Sequence, residues 1–258
     1  MWKPQIVGHL SAEEIILERL ISGKIPMIII HGFYDKKSCQ TAAERIKNHD
    51  QSQFQDGELR HIGPFLMAHA TDKERYFKDS MECKITYEEI FYGITNPVLQ
   101  IYEAVARMFP GHSVSLAREF QYDYSPAVIR IHEKGRSVPV HKDNVKYEGR
   151  EYAVSNIDHQ LSCVLHLQES ESGGDLVLYN RAWKKGDEQF RNIDFGYSQN
   201  LTESSQSCRA PNLGAGDLVI INPMYYHEVT RVTGDVPRIT LGMFLGIYSQ
   251  KRKIVAWA

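Results

Sequence analysis

The sequence has few cysteines and no long hydrophobic segment. Four cysteines occur in 258 residues, and none of them form a Cys-x-x-Cys pair. This spacing argues against a disulfide framework, so Cys39, Cys83, Cys163 and Cys208 are expected to be reduced thiols of a cytoplasmic protein. The longest apolar run covers residues 25 to 30, which is far too short to cross a bilayer.

The sequence also lacks an excess of charge of either sign. The formal net charge is −2, and acidic and basic residues are mixed, so no electrostatic footprint for nucleic acid is present. Residues 1 to 7 lack a basic region followed by an apolar one, so no signal peptide is expected. Repeats, low-complexity tracts and linkers are absent, and 42% of the residues are hydrophobic. We therefore expect residues 1–258 to form one domain with a large core.

Residues 1–113 are predicted to form helical support and part of a substrate cover. A capping box at Ser11 and Glu14 predicts a helix that continues to Ile21. The β-branched run Met27–Ile30 predicts a buried strand. Asp35 is expected to cap a polar helix that ends near residue 49.

The next segment has a weaker pattern. Residues 51–78 show no clear period, and we place part of the substrate cover there, because long irregular stretches in compact domains are often functional. A second capping box in residues 86–89 predicts the start of a helical region reaching about Phe109. Pro97, in Asn96-Pro97, is expected to interrupt that region.

From Ser115 onward, short β-like runs alternate with Gly, Pro, Asn and Asp, a pattern typical of an all-β sandwich or barrel. The runs cover residues 115–122, 127–132, 138–143, 160–167, 175–179, 218–222, 227–232 and 238–247. Eight runs predict a double-stranded β-helix, the jelly-roll form of cupins, in residues 114–250. The fold is thus expected to be mainly β with flanking helices. The polar insertions 144–158 and 180–211 are interpreted either as lids or as solvated surface loops.

His141 and Asp143 are separated by one residue, so on an extended strand both side chains would project from the same face. His227, far along the chain, would complete a set of two histidines and one carboxylate. Such a set occupies one face of a metal and leaves the other positions open, as in non-haem Fe(II) oxygenases. Two nitrogens and one hard oxygen, without thiolate, suit Fe(II) better than a structural zinc ion.

Further motifs follow in order. Gly173-Gly174 and Gly214-Ala215-Gly216-Asp217 precede β-like runs, and Arg238-Ile239-Thr240 lies eleven residues beyond His227. The ordered set resembles the Fe(II)/2-oxoglutarate-dependent oxygenases. The resemblance implies that Fe(II), 2-oxoglutarate and O2 are required, and that Arg238 clamps the distal carboxylate of 2-oxoglutarate. An arginine suits that role because its planar group binds carboxylates through two hydrogen bonds. Thr240 shares the face of Arg238 and could donate its hydroxyl to the same carboxylate.

Within that superfamily, the chain is similar to the stand-alone non-haem iron halogenases of hapalindole and welwitindolinone alkaloid biosynthesis and to their hydroxylating relatives. The similar stretches lie between Met27 and Tyr248 and include Pro126–Arg130 and the segment around His227. The halogenases carry glycine where this chain has Asp143, and chloride binds iron in the vacancy. The resemblance therefore implies hydroxylation rather than halogenation.

Other candidate residues allow two interpretations. His166 is either a hydrogen-bond donor to 2-oxoglutarate or a satisfied core histidine. Arg130 and His132 share a strand face, and we expect one to reach substrate or cosubstrate and at least one to form an outward salt bridge. Trp183, together with Phe190, could line a substrate pocket.

Three functions compete at this point. The favoured one is hydroxylation of an unactivated C–H bond in a small metabolite, with succinate and CO2 as co-products; desaturation or ring closure would use the same chemistry. The second is hydroxylation of a protein side chain, as by prolyl hydroxylases, although no peptide-binding module is visible. The third is a non-catalytic jelly-roll binding protein, which would have no need of an open iron face. Oligomeric state is left open.

Overall fold

The computed structural model describes residues 2–8, 14–49, 55–56, 59–193 and 196–258. Helices are α1 (Glu14–Ile21), α2 (Lys36–Asn48), α3 (Lys73–Ile90), α4 (Pro97–Met108) and α5 (Val145–Glu148). Strands are β1 (Gln5–Val7), β2 (Met27–Ile30), β3 (Gln55–Asp56), β4 (Leu59–Ile62), β5 (Ser113–Leu116), β6 (Arg118–Glu119), β7 (Tyr122–Asp123), β8 (Val128–His132), β9 (Val138–His141), β10 (His159–Gln168), β11 (Leu176–Ala182), β12 (Arg191–Ile193), β13 (Gly196–Tyr197), β14 (Ser207–Arg209), β15 (Leu218–Ile221), β16 (Tyr225–Val229), β17 (Arg238–Tyr248) and β18 (Lys253–Trp257).

Two sheets form the centre of the fold. The larger has the order β1-β2-β15-β10-β17-β8-β4-β3, with β18 paired to β17 and to β5. The smaller has the order β14-β11-β16-β9. From β8 to β11 and from β14 to β17 the chain supplies both sheets in turn, as in a double-stranded β-helix. The predicted fold class, mainly β with flanking helices, is confirmed.

Strand β10 shows how the larger sheet uses its two faces. Leu161, Cys163 and Leu165 are fully buried and belong to the main core, which continues into α2 and α4. Each fully buried aliphatic side chain stabilises the fold by roughly 1.5–3 kcal/mol relative to exposure. The intervening residues Ser162 and His166 lie on the opposite face, toward the smaller sheet. The face of the larger sheet toward the helices therefore packs in the hydrophobic core, and the face toward the smaller sheet carries polar side chains.

The predicted capping signals agree with the helix boundaries in one of the two places that can be compared. Asp35 accepts a hydrogen bond from the Ser38 N–H at the start of α2. The helical region is interrupted before Pro97, as predicted, and Asn96 caps the new helix α4 with Pro97 in its first turn. The predicted helix start in residues 86–89 is wrong, because those residues lie inside α3, which is capped by Asp72. Ser11, the proposed cap of α1, lies outside the described residues.

The region before residue 113 contributes more strand than expected. Strand β2 was predicted, but β1 pairs parallel to it, and β4 pairs with β8 at the other side of the sheet. β18 was not predicted either, and it extends β17. These strands are short, and their backbone N–H and C=O groups form hydrogen bonds with the central sheet. Such pairing depends on distant segments, so the local sequence does not predict it. In the described part of the chain, no helix is long and apolar enough to span a membrane.

Glu119 links three segments outside the sheets. Its carboxylate is paired with Lys73 at the start of α3, and it accepts hydrogen bonds from the Tyr124 hydroxyl at 2.7 Å and the Ala153 N–H at 2.9 Å. Burial opposes ionisation, but these donors together lower the pKa of Glu119. The ionised carboxylate therefore stabilises the folded state.

Glu119→Gln should lower the free energy of unfolding at neutral pH by about 2 kcal/mol, because hydrogen bonds to charged groups contribute roughly 1.5–3 kcal/mol. The contribution is present above the pKa of an unfolded glutamate, about 4.3, and is lost as the pH falls through the lower folded-state pKa. Urea unfolding across pH 3–7, an order-of-magnitude window around that value, should show a weaker acid dependence in the variant. Exposed Glu103→Gln is the control; equal acid dependence in wild type and Glu119→Gln would contradict the assignment.

Candidate metal and cosubstrate site

The pairing of β9 with β16 brings two histidines together. His141 and His227 are direct partners in this antiparallel ladder, and their ring centroids lie 4.1 Å apart. Together with Asp143 they offer one ligand atom each, all within 4.8 Å of one another. The three residues predicted from the sequence are thus adjacent, with a spacing that a single metal ion can bridge.

Backbone carbonyls orient both rings. His141 Nδ1 lies 2.8 Å from the carbonyl oxygen of Pro139, and His227 Nδ1 lies 2.9 Å from that of Tyr225. An Nδ1–H that donates to a carbonyl leaves the Nε2 lone pair free for a metal. Burial and the neighbouring His227 lower the pKa of His141 to about 4. The imidazole is therefore neutral near pH 7, as a metal ligand must be.

Asp143 follows β9 and is fixed by its backbone. Its N–H donates to the carbonyl oxygen of Pro223 at 2.9 Å, which attaches the loop to the segment preceding β16. Its Oδ2 lies 3.4 Å from His227 Nε2. Burial opposes ionisation, but the hydrogen bond with His227 and the charges of nearby groups hold the pKa of Asp143 at about 2. At neutral pH this side chain is a carboxylate.

Arg238 and Thr240 lie on β17, on the larger sheet. Both are 2% exposed. Arg238 is paired in register with His132, and Thr240 is flanked by Arg130 on β8 and His166 on β10. In the described part of the chain, Arg238 has no ion-pair partner, and its Nε has no hydrogen-bond partner. Burial, opposed by Glu169, lowers the pKa of its guanidinium. An interior cation of this kind requires an anion.

Arg130 and His132 do not form the expected outward salt bridge with any described residue. Arg130 is held beneath the Phe65 ring, 5.5 Å from its centroid, and His132 is 1% exposed with both ring nitrogens unpartnered. Burial and the adjacent arginines hold the pKa of His132 well below its usual range. Gly242 leaves room for the Arg130 guanidinium, because a Cβ there would lie 2.7 Å from its Nη1. His132 therefore belongs to the interior, and Arg130 is partly buried against Phe65 and Gly242.

Of the two interpretations of His166, its geometry argues against the hydrogen-bond donor to 2-oxoglutarate. Its Nδ1 lies 2.5 Å from Glu169 Oε1, and its Nε2 has no partner among the described residues. Burial, opposed by Glu169, lowers the pKa of His166, which favours the neutral ring. With Nδ1–H directed to the carboxylate, Nε2 is an acceptor rather than a donor.

Trp183 packs beside the ligand loop rather than beside the three ligand atoms. Its indole N–H donates to Glu188 at 2.8 Å, its ring lies 4.8 Å from that of Tyr147, and the Lys142 ammonium sits 4.9 Å from its ring centre. A substrate contact for Trp183 stays a prediction. Phe190 is 39% exposed.

Sequence reasoning missed three residues near the site. His61 on β4 is the register partner of Arg130, and Phe65 follows β4 and covers the Arg130 guanidinium. They fall in the segment predicted as substrate cover, but no spacing signal marked them. Glu148 in α5 contacts both neighbours of Asp143. Its position becomes visible only once the loop is folded.

The sequence matches one family model and is similar to a curated protein. A family model described as "Carrier-protein-independent halogenase WelO5" matches residues 7–258. Among curated proteins, the leucinostatins biosynthesis cluster protein S of Purpureocillium lilacinum is 29% identical over 143 residues, 53% of this chain and 57% of that protein. The chain thus spans little more than half the length of this relative.

Two solved structures share the fold. An N-substituted L-amino acid dioxygenase from Burkholderia ambifaria AMMD gives a TM-score of 0.62 at 13% identity, with 96% of this chain and 92% of that chain covered. HygX from Streptomyces hygroscopicus, solved with nickel and 2-oxoglutarate bound, gives a TM-score of 0.55 at 10% identity, with 93% and 88% covered. At such identities the similarity establishes the fold alone.

His227→Ala should weaken anaerobic Fe(II) binding by more than about 100-fold, because even outer-shell partners of metal ligands change affinity by 10–100-fold. Isothermal titration or equilibrium dialysis would measure it. His159→Ala, at the exposed start of β10, is the control and should bind Fe(II) normally. Unchanged affinity in His227→Ala would remove His227 from the ligand set.

Proposed function

Because the chain belongs to the carrier-protein-independent halogenase WelO5 family, we propose that it is an Fe(II)/2-oxoglutarate-dependent dioxygenase that hydroxylates an unactivated C–H bond of a small molecule instead of halogenating it. The family match confirms the resemblance that the motifs indicated. The choice of hydroxylation depends on Asp143, since the halogenases that the chain resembles have glycine at that position.

The iron ligands in this proposal are His141, Asp143 and His227. Two observations support the fit: each imidazole has its Nδ1 bonded to a backbone carbonyl, which leaves Nε2 on the side of the ligand cluster, and the carboxylate is ionised. Nitrogen and oxygen donors without thiolate suit a non-haem Fe(II) site with open positions.

The cosubstrate residues in this proposal are Arg238 and Thr240. Two guanidinium groups, of the buried Arg238 and the partly exposed Arg130, have no ion-pair partner among the described residues. Removing a cation from water without a counter-ion is strongly unfavourable. A dianion such as 2-oxoglutarate fits this charge, with its distal carboxylate on Arg238. His166 would pack beside it, and Thr240 would supply a hydroxyl donor.

When bound, iron, 2-oxoglutarate and O2 supply the oxidising power, with succinate and CO2 as co-products. The protein residues do the rest. The pairing of β9 with β16 sets the ligand geometry, Arg238 orients the cosubstrate, and Phe65 covers the Arg130 guanidinium.

The presence of a carboxylate at position 143 is the observation that favours hydroxylation. Its carboxylate lies 3.4 Å from His227 Nε2 and is ionised at neutral pH. A carboxylate in this place fills the position that a halide would take in the related halogenases. The third coordination site is therefore a protein ligand.

For the substrate we propose a small metabolite of biosynthetic origin. The partly exposed Arg130 and the buried His132, both on β8, are proposed to contact it. The name of the leucinostatins cluster relative places that protein in a biosynthetic cluster, which supports this class. Desaturation or ring closure remains an alternative outcome of the same chemistry, and prolyl-hydroxylase-like action on a protein the second alternative.

We also propose that residues 1–258 form one oxygenase domain, with 1–113 as support and partial substrate cover and 114–250 as the jelly-roll core. Strands β1, β2 and β4 share the sheet of the core strands, which supports a single unit. The four cysteines are free. Free thiols favour a reducing compartment such as the cytoplasm.

Arg238→Met should weaken 2-oxoglutarate binding about 100-fold, because loss of a buried charge pair is worth roughly 2–5 kcal/mol and each 1.4 kcal/mol is tenfold. Fe(II) affinity should be unchanged. Anaerobic titration of the Fe(II) protein, followed by the visible charge-transfer band of the chelated oxoacid, measures this. Arg209→Met, at an exposed ion pair with Asp175, is the control. Equal 2-oxoglutarate affinity would overturn the Arg238 assignment, and absence of the band in wild type would overturn the oxygenase proposal.

Asp143→Gly should make the same band sensitive to chloride and bromide, because removal of the carboxylate opens a coordination position for a halide. The wild-type band should not respond to either salt. Sulfate at equal ionic strength controls for screening. A chloride-dependent shift in wild type would mean that a halide enters beside Asp143, and hydroxylation would lose its main support.

A further inference from the structure

Glu148 forms hydrogen bonds with the residues on both sides of Asp143. One carboxylate oxygen, Oε1, accepts from the Lys142 ammonium, and the other, Oε2, accepts from the Asn144 N–H at 3.2 Å. Lys142 and Asn144 are the residues immediately before and after Asp143. The Asp143 N–H is held separately by Pro223. Three consecutive residues of the ligand loop are therefore fixed, and two of them through one side chain.

The Lys142 end of this contact is enclosed. The Lys142 side chain is 0% exposed, and its ammonium lies 5.2 Å from the Tyr147 ring centre and 4.9 Å from that of Trp183. Aromatic faces stabilise an ammonium only partly, and a buried charge needs an opposite charge. Glu148 supplies that charge, so its position is determined by Lys142 as well as by its own helix.

The same carboxylate is tied to the insertion of residues 180–211. Arg191 Nη2 donates to Glu148 Oε1 at 3.0 Å, and Arg191 Nε donates to Glu188 Oε2 at 3.0 Å. Glu188 Oε1 in turn accepts from Trp183 and from the Tyr197 hydroxyl, at 2.8 and 2.6 Å. Two cations, Lys142 and Arg191, thus face two carboxylates. The balance of charge makes this network a defined link between the insertion and the ligand loop.

We propose that Glu148 is a positioning residue for the Asp143 carboxylate, and that Arg191 transmits the same constraint from the insertion. The inference rests on the proposed role of Asp143 as an iron ligand. The backbone of Asp143 is held at its own N–H by Pro223 and at the following N–H by Glu148, and the preceding residue is held through the Lys142 ammonium. Outer-shell contacts that orient metal ligands are worth 10–100-fold in metal affinity. The insertion thereby has a role in the metal site without contacting the metal.

The test is a double-mutant cycle on metal binding. Glu148→Gln should weaken Fe(II) or Co(II) binding about tenfold and shift the visible ligand-field spectrum of the Co(II) protein, which reports coordination. In an Asp143→Ala background the same substitution should change metal affinity less than about twofold, because a positioning effect acts only through Asp143. A general loss of stability would weaken binding in both backgrounds.

Glu119→Gln is the matched control. Glu119 is also a carboxylate with three donors, including a lysine, but it contacts none of the three ligands. The substitution Glu119→Gln should lower thermal stability while leaving metal affinity and the Co(II) spectrum as in wild type. Equal effects of Glu119→Gln and Glu148→Gln on metal binding would overturn the inference.

Glu148→Gln leaves Lys142 without a full counter-charge and could prevent folding. Arg191→Met then decides, because it keeps both the Lys142 and Asn144 contacts of Glu148 and removes its link to the insertion, together with the bonds of Arg191 to Glu188 and Tyr197 within the insertion. It should weaken Co(II) binding by about three- to tenfold, below the full effect of an outer-shell partner, and again only when Asp143 is present. The positioning role would be refuted if Arg191→Met bound the metal as tightly as wild type, and if Glu148→Gln, where it folds, did so too. The oxygenase proposal would still stand in that case. Failure of wild type to bind metal would refute the proposed function itself.

Discussion

The antiparallel pairing of β9 with β16 sets His227 opposite His141, and the arrangement of the site depends on that register. Side chains alternate along a strand, so a slip of one residue would place Tyr226 at the site and turn His227 to the outer face. Tyr226 instead is fully buried behind the smaller sheet, where its ring packs at 5.2 Å from Tyr197. Its hydroxyl donates to Asp187. Packing on the outer face thus holds the register that the inner face requires.

Around the two histidines, the protein distributes charge in advance of any ligand. His141, His227 and the ionised Asp143 offer a metal two nitrogens and one negative oxygen. On the facing sheet, Arg238 and Arg130 bring two cations without described counter-ions. Polar groups fixed before binding need little reorganisation when an anion arrives. The interior is therefore organised for a cation on one sheet and an anion on the other.

The two faces of the larger sheet divide structural and chemical tasks. Toward the helices, alternate residues of β10 and β17 form a continuous apolar core. Toward the smaller sheet, the remaining residues of the same strands include His166, Arg238 and Thr240. Every such polar residue is held in place by core neighbours one position away. The insertion after β11 adds a second support, from outside the barrel, through Arg191 and Glu148.

The amino-acid sequence by itself determined the features that depend on neighbouring residues. The alternation of β-like runs with turn residues predicted the jelly roll, and the spacing of His141, Asp143, His227 and Arg238 predicted the residues that the fold brings into the barrel. Asp35 marked a helix start because a side chain three residues from a free N–H can cap it, and Pro97 marked an interruption because proline cannot continue a helix. These signals are local, so one chain is sufficient to detect them.

Only the tertiary structure decided the features that join distant segments. The true start of α3 at Lys73, the added strands β1, β4 and β18, and the contact of His166 with Glu169 depend on partners that no local pattern specifies. The same holds for Glu148, whose hold on the ligand loop involves Arg191, 43 residues away. Such contacts form because burial in the folded protein forces polar groups to find partners wherever the chain brings them.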